Sequence, residues 1–157
     1  MLFRSHYWYA VNRASSKEFS SIVMQAAAFP SIYSHSDKVG EIDEDYYYGA
    51  YGRLWSEVLV RTPKVVVELV GWDMQEAVDD INDSIEKEPR YLNNHVYNAR
   101  FLDSYFGNKE EALKLLDHVL KQDSKTLLPE EQTSNRVAQR EARGLWKDIT
   151  GKEYPAK

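Results

Sequence analysis

Residues 71–124 contain one helical pattern written twice: GWDMQEAVDDINDSIEKEP covers 71–89, and GNKEEALKLLDHVLKQDS covers 107–124. Each copy opens with glycine and leads into an amphipathic segment that ends at a turn. Ala112 lies 35 positions after Ala77, and Leu116 lies 35 positions after Ile81. A spacing of about 34 residues is typical of repeated helix–turn–helix units. The doubled segment therefore predicts antiparallel helix pairs with small residues at their contacts.

The remaining sequence carries apolar stripes with the same helical spacing. We predict an all-α fold of about eight helices, arranged as tetratricopeptide-like antiparallel pairs in a right-handed superhelix. A single helical-repeat domain is expected over residues 1–151, followed by a flexible tail at 152–157. The predicted helices cover 2–13, 17–27, 30–42, 46–60, 73–88, 91–106, 108–120 and 129–150.

Three local features refine this prediction. Pro30 favours the first turn of a new helix, where its missing N–H is not needed. Gly49 and Gly52 offer small positions where a neighbouring helix can approach closely. The apolar segment VVVELV before Gly71 could form a short strand or an apolar loop. We favour the loop over residues 64–70, because an isolated strand would have no partner.

Composition limits the function classes. The chain has 157 residues and 43% hydrophobic residues, which suits one domain with a substantial core. A net charge of −5 argues against a general nucleic-acid binder. The absence of cysteine excludes disulfides and thiolate metal sites. We predict no cofactor and no membrane-spanning segment, since no apolar run approaches about 20 residues.

No catalytic or metal-binding motif occurs in the sequence. The four histidines lack the paired spacing of a zinc site, and phosphate-binding glycine loops and nucleophile elbows are absent. The acidic run at 41–45 lacks the glycine and glutamate positions of a calcium loop. We therefore predict a non-enzymatic protein, with an enzyme whose polar groups meet only in space as the alternative.

Aromatic residues are abundant, with 11 Tyr and 4 Trp. On the helices that precede the repeat-closing helices they could line a concave binding groove, with Arg100 as its polar anchor. The alternative is that these side chains are ordinary core residues. The candidate groove consists of Tyr47, Tyr51, Trp55, Tyr97, Arg100, Phe101 and Tyr105.

A basic ridge is predicted on the last helix, where cationic side chains recur at spacings of 4, 3 and 4 residues. Such a ridge is either a solvated helix face or a site for an anion or an acidic partner. It comprises Arg136, Arg140, Arg143 and Lys147.

Several motifs together resemble one family. They are YGAYGRL at 48–54, GxDxxxA at 71–77, PxYxxN at 89–94 with Asn93 and Asn94, and Ala99-Arg100. The C-terminal pattern LLPE at 127–130, followed by Asn135, Ala138, Ala142 and Leu145, extends the similarity. These residues resemble the T component of tripartite ATP-independent periplasmic (TRAP) transporters, the TatT family, over about residues 7–149. Regulator-of-microtubule-dynamics proteins share a similar helical pattern.

The resemblance implies a periplasmic, often lipid-anchored scaffold that associates with a solute-binding protein, forms oligomers and accepts apolar ligands in a groove. The leading hypothesis is thus a non-enzymatic protein-binding protein of a TRAP system. The alternatives are a carrier of a small hydrophobic ligand and a tetratricopeptide-like adaptor unrelated to transport. The chain has no lipobox cysteine or export signal. A cytoplasmic location, or removal of an export segment, is therefore the alternative for localisation.

Overall fold

The computed structural model describes residues 2–17 and 21–155, and within these ranges it contains helices and no β-strand. The predicted all-α class is confirmed. A π-helical turn at Leu102–Phe106 extends α6, and a 3₁₀ turn at Pro129–Glu131 precedes α8. The eight α-helices of the described ranges are α1 Leu2–Lys17, α2 Ile22–Ile42, α3 Ala50–Arg61, α4 Lys64–Val70, α5 Met74–Lys87, α6 Leu92–Phe101, α7 Lys109–Lys121 and α8 Gln132–Thr150.

The chain divides into two compact units, Met1–Ser84 and Ile85–Lys157, with the division inside α5. The first unit is built around α1, α2, α3 and α4, and the second around α6, α7 and α8. The single domain over 1–151 and the right-handed superhelix stay predictions.

Pro30 does not begin a new helix, so this prediction was wrong. It lies inside α2, which is continuous from Ile22 to Ile42. An interior proline costs about 3 kcal/mol in a helix. Ala28, Ile32 and Val39 form a buried stripe on one face of α2, which packs along α1, and this stripe extends on both sides of the exposed Pro30. Burial of this stripe offsets the lost backbone hydrogen bond.

The helix boundary around Ser16 also differs from the prediction. α1 continues through Ser15 and Ser16 to Lys17, and the Ser16 hydroxyl donates to the Arg13 carbonyl at 2.9 Å. α2 begins at Ile22, after Ser21 accepts a hydrogen bond from the Met24 amide. Phe19, which we expected on the second helix, lies outside the described residues.

Residues 64–70 form helix α4, so the predicted loop was wrong. The Pro63 carbonyl accepts from the Val66 amide at 2.8 Å and starts the helix. Val66 and Val67 are buried, whereas Val65 and Leu69 are 49% and 75% exposed. An apolar segment can thus form a helix with one buried face and one exposed face, even though polar residues do not recur along it at helical intervals. The total of eight helices agrees with the prediction because this extra helix offsets the merging of two predicted helices into α2.

A turn of unusual conformation precedes α3. We expected this helix to begin at Tyr46, but it begins at Ala50 because Tyr47, Tyr48 and Gly49 have φ angles of 45°, 56° and 78°. Left-handed conformations are unfavourable for tyrosine. The buried Arg53 guanidinium stabilises them by donating to the carbonyl oxygens of Tyr47 and Tyr48 at 2.5 and 2.6 Å.

The predicted close approach at Gly49 and Gly52 is confirmed. A Cβ atom on Gly52 would lie 2.6 Å from the backbone oxygen of Asp80 on α5, and one on Gly49 would overlap the Ser84 side chain. The Ser84 hydroxyl also donates to the Gly49 carbonyl at 3.3 Å. These contacts hold the start of α3 directly against α5.

The repeated segment is buried as predicted. Ala77 and Ile81 are 5% and 0% exposed, and the matching Ala112 and Leu116 are both 0% exposed. The core of the second unit joins α6, α7 and α8. Its buried members are Leu92, Val96, Ala99, Ala112, Leu116, Val119, Leu120, Ala138 and Ala142.

The segment after Gly151 makes specific contacts. Tyr154 donates to the Asp117 carboxylate at 2.8 Å, and its ring meets the Trp146 ring edge-on at a centroid distance of 4.9 Å. Ala156 and Lys157 lie outside the described residues. The flexibility of 152–157 stays a prediction. Among the helices described, none combines the length and apolar character that crossing a membrane requires.

Candidate functional site

A cluster of aromatic rings lies in the first unit between α2, α3 and the start of α5. The Trp72 ring contacts the rings of Phe29, Tyr33 and Trp55 at centroid distances of 4.3, 5.1 and 4.4 Å. Tyr51 meets Trp55 edge-on at 6.4 Å. Phe29 and Trp55 are buried, while Tyr33, Tyr51 and Trp72 remain partly exposed. The cluster therefore presents aromatic surface to solvent at one side.

This surface lines a shallow pocket that is open to solvent on one side. Most of its lining comes from regularly spaced residues of α3 and of the start of α5, and α2 contributes Tyr33. Tyr51, Trp55 and Leu59 follow one another at intervals of four on α3, and Asp73, Glu76 and Asp80 line the start and first turns of α5. We call it the acidic–aromatic pocket, and it is lined by Tyr33, Tyr51, Trp55, Leu59, Trp72, Asp73, Glu76, Ala77 and Asp80.

The pocket has a strongly negative environment. Partial burial raises the pKa of Asp80 from 3.8 to about 6, with further contributions from Glu76, Asp83, Asp79 and Glu44. Burial also raises the pKa of Tyr51, as does the charge of Asp80. The pKa of Tyr33 is raised by burial first and then by the surrounding carboxylates. An ionised Asp80 thus costs free energy in the folded protein.

This arrangement predicts a pH effect on stability that Asp80→Asn should remove. Because the folded-state pKa of Asp80 lies above its usual value, the folded protein binds this proton more tightly, and stability falls as pH rises from about 4 to 6. The variant should be about 1 kcal/mol more stable than wild type at pH 7.5 and equally stable at pH 4, a magnitude discounted for solvent screening. Urea unfolding at both pH values measures the difference.

Glu86→Gln is the matched control, since it removes one negative charge from an exposed position of the same helix. An equal gain from both variants at pH 7.5 would assign the effect to net charge, not to the environment of Asp80.

The first three predicted groove residues occupy two places in the first unit. Tyr51 and Trp55 line the acidic–aromatic pocket. Tyr47 lies instead in the left-handed turn, 46% exposed, with the Arg53 guanidinium 5.5 Å from its ring centre. Helical spacing within α3 thus predicted correctly that Tyr51 and Trp55 share a face.

The other predicted groove residues lie in the second unit. Phe101 is fully buried and contacts Tyr105 at a centroid distance of 5.6 Å. Arg100 lies over the Tyr97 ring at 5.4 Å and forms an ion pair of 3.2 Å with Glu141 on α8. The continuous groove therefore stays a prediction, and Phe101 is a core residue in this unit.

The basic ridge is an exposed face of α8, as Arg136, Arg140, Arg143 and Lys147 are all exposed. Lys147 pairs with Glu153 at 2.6 Å, and Arg143 donates to the Gln139 carbonyl at 3.3 Å. Two of the four ridge side chains thus have polar partners within the second unit. The role of the ridge as an anion site stays a prediction.

Histidines meet as two pairs that the sequence did not indicate. The Nδ1 atoms of His6 and His35 lie 2.7 Å apart, and the rings of His95 and His118 have centroids 4.8 Å apart. The buried His95 also bonds the Pro89 carbonyl through Nε2 at 2.9 Å. Within the described ranges no three His, Cys, Asp or Glu side chains form a group suited to a metal ion.

Tyr33, Trp72 and the carboxylates of the pocket were not identified as site residues from the sequence. The amphipathic spacing of the α5 sequence, with Ala77 and Ile81 inward, predicts that Asp79, Asp80 and Asp83 face solvent, but Asp80 is half-buried. The spacing of Asp73, Glu76 and Asp80 by three and four residues was the available indication of one acidic helix face. Its position opposite the aromatic face of α3 follows only from helix packing.

Comparison with known proteins identifies no family for the chain. No protein-family model matches it. The comparison with curated proteins also found no match. The resemblance to the TRAP transporter T component consequently stays a prediction.

Proposed function

We propose that this chain is a non-enzymatic binding protein whose helical scaffold presents the acidic–aromatic pocket to a partner. The observation that carries the proposal is the partly exposed aromatic surface of Tyr33, Tyr51 and Trp72 beside the carboxylates of α5. Aromatic bodies with polar tips are favoured at binding interfaces, because they contribute contact area at low conformational cost. Carboxylates alongside them add selectivity for a positively charged surface.

The more specific form of this proposal is a scaffold of a TRAP transporter, with a solute-binding protein as partner. It is supported by the motif resemblance over residues 7–149 and by the helical fold. A periplasmic or membrane-anchored location and homo-oligomerisation belong to the same proposal. The alternative form of the binding-protein proposal is an adaptor unrelated to transport, including one located in the cytoplasm.

Copurification tests the binding role. The tagged protein should retain a stoichiometric protein partner, and a double variant with Trp72→Leu and Glu76→Gln should lose most of it, about tenfold. Trp8→Leu is the control, because Trp8 is 56% exposed on α1 and does not line the pocket. A partner retained equally by all three proteins would contradict the role of the pocket.

The identity of the partner tests the transporter form. A purified TRAP solute-binding protein encoded beside this chain should comigrate with it in size-exclusion chromatography. Neighbouring genes without a TRAP permease, together with independent migration of the two proteins, would reject the transporter and leave the adaptor.

A carrier of a small apolar ligand is the second candidate. Trp55, Leu59 and Trp72 in the pocket lining favour it, since they provide apolar surface for a ligand. The adjacent carboxylates disfavour fatty acids and other anions. Native mass spectrometry of the protein purified from its source would reveal a retained neutral ligand.

A further inference from the structure

We propose that the acidic–aromatic pocket binds an organic cation of the alkylammonium class, with a methylated ammonium group placed against Trp72 and the carboxylates of α5. This inference rests on the proposed binding function and specifies the chemistry that the pocket recognises. The same group occurs on free solutes and on methylated lysine side chains of partner proteins.

The aromatic surface carries the first part of the argument. Faces of Trp and Tyr attract cations because of the negative potential of their π-systems, and Trp is the strongest. Trp72 is partly exposed and packs at 4.4 Å against the buried Trp55, which holds its ring in place. Tyr33 on α2 and Tyr51 on α3 also line the pocket. A rigid aromatic surface is thus available without rearrangement of the core.

The carboxylates carry the second part. Asp73 and Glu76 are exposed, and Asp80 is half-buried beside them. Among the described residues that line the pocket there is no Lys or Arg. A cation entering here therefore meets negative charge and aromatic surface together, whereas an anion would be repelled.

The geometry also selects among cations. A bound divalent metal requires several oxygen ligands in its coordination sphere, but the described carboxylates do not form such a group. A methylated ammonium has a large, weakly hydrated surface that can lie on aromatic rings without directed bonds. The mixed lining therefore suits this group better than a metal ion.

The titration of Asp80 supports the same assignment. Its pKa is raised to about 6 by burial and by Glu76, Asp79 and Asp83 on α5 and Glu44 before α3. Tyr33 on α2 and Tyr51 on α3 are the titratable groups that face it across the pocket. A bound cation would stabilise the ionised carboxylate, so its affinity should decrease as pH falls below about 6.

The test is titration of the full chain with choline and with 3,3-dimethylbutan-1-ol, a neutral molecule of nearly the same shape. Tryptophan fluorescence and the indole N–H signals in NMR spectra report binding at Trp72. We expect choline to bind at about millimolar Kd, and the neutral analogue at least about tenfold more weakly. Equal affinities would overturn the cation proposal and favour the apolar carrier.

Variants of the pocket then locate the site. Glu76→Gln should weaken choline binding about threefold and Trp72→Leu about tenfold, while Glu86→Gln on the exposed face of α5 should leave it unchanged. Equal losses in Glu76→Gln and Glu86→Gln would show nonspecific attraction to net charge and overturn the site. Circular dichroism confirms that each variant is folded.

A peptide with one trimethyllysine distinguishes the two sources of the group. Binding tighter than that of choline, lost on substitution of the trimethyllysine by norleucine, assigns a partner side chain. Tighter binding of choline assigns a free solute. If neither cation binds while the copurified partner is retained, the cation inference fails and the proposed scaffold function stands.

Discussion

Replacing Gly52 by alanine is expected to lower the free energy of unfolding by about 1–3 kcal/mol. The new Cβ atom would lie 2.6 Å from the backbone oxygen of Asp80 and 2.8 Å from its carbonyl carbon. Both are backbone atoms of α5, so a rotamer change cannot relieve the overlap and the two helices must separate. Chemical denaturation measures the loss, and Gly52→Val should produce a larger one.

Gly144→Ala is the control for this prediction. Gly144 is an exposed helical position in α8, and a Cβ atom added there would have no heavy atom of the described residues within 4 Å apart from its own helix backbone and chain neighbours. The same added methyl group should therefore stabilise the protein by about 0.5–1 kcal/mol through helix propensity. If both alanine variants change stability alike, the close approach of α3 and α5 is wrong.

The position of α5 also sets the geometry of the pocket, because Asp80 contributes its backbone to the helix contact and its carboxylate to the pocket lining. We expect Gly52→Ala to alter tryptophan fluorescence along with stability. If the variant is destabilised but its tryptophan fluorescence is unchanged, the geometry of the pocket does not depend on the contact between α3 and α5.

In the second unit, Asn135→Ala is expected to lower the free energy of unfolding by about 2–4 kcal/mol. Asn135 is fully buried, and its amide accepts from the Leu92 amide at 2.9 Å and donates to the Arg90 carbonyl at 3.0 Å. Alanine leaves both backbone groups without this partner, and each buried unsatisfied group costs about 1–3 kcal/mol. The first N–H of α6 is thus capped by a side chain of α8.

Hydrogen exchange and a second substitution test whether Asn135 acts through its two backbone hydrogen bonds. Exchange at the Leu92 amide should accelerate in Asn135→Ala. Asn135→Asp retains an acceptor for Leu92 but places an oxygen against the Arg90 carbonyl, so it should also be destabilising. Thr133→Ala, at an exposed position of α8, should change stability by less than about 0.5 kcal/mol. Comparable effects at positions 133 and 135 would contradict the tertiary cap.

The Asp80 carboxylate is expected to lower the stability of the fold and, at the same time, to strengthen binding of a cation. Asparagine at this position should stabilise the unoccupied protein above pH 6 and weaken binding of a cation. Such opposition is common at functional sites, where charged groups are held in environments that destabilise them. A stabilising Asp80→Asn variant that binds choline as well as wild type would remove the link between the two.

Much of the fold could be predicted from the sequence because it depends on local spacing. Ala77 and Ile81, and their counterparts Ala112 and Leu116, recur at helical intervals, and all four are buried. The glycines at 49 and 52 were likewise identifiable as contact points, since only a residue without a side chain permits such an approach.

Other features depended on partners distant in sequence. Pro30 interrupts a helix by its own chemistry, yet burial against α1 keeps α2 continuous. The valine-rich segment at 64–70 has no helical period, but it forms α4 because one face is covered. In both places tertiary burial outweighs local preference.

The sequence by itself determined the all-helical class, the repeated buried positions and the presence of Tyr51 and Trp55 on one helix face. Only the tertiary structure brought Tyr33, Trp72 and the carboxylates of α5 to that face. Helical periodicity specifies which side chains share a face, but it does not specify which face of another helix lies opposite. The acidic–aromatic pocket forms because close packing at Gly49 and Gly52 places the carboxylates of α5 opposite the aromatic face of α3.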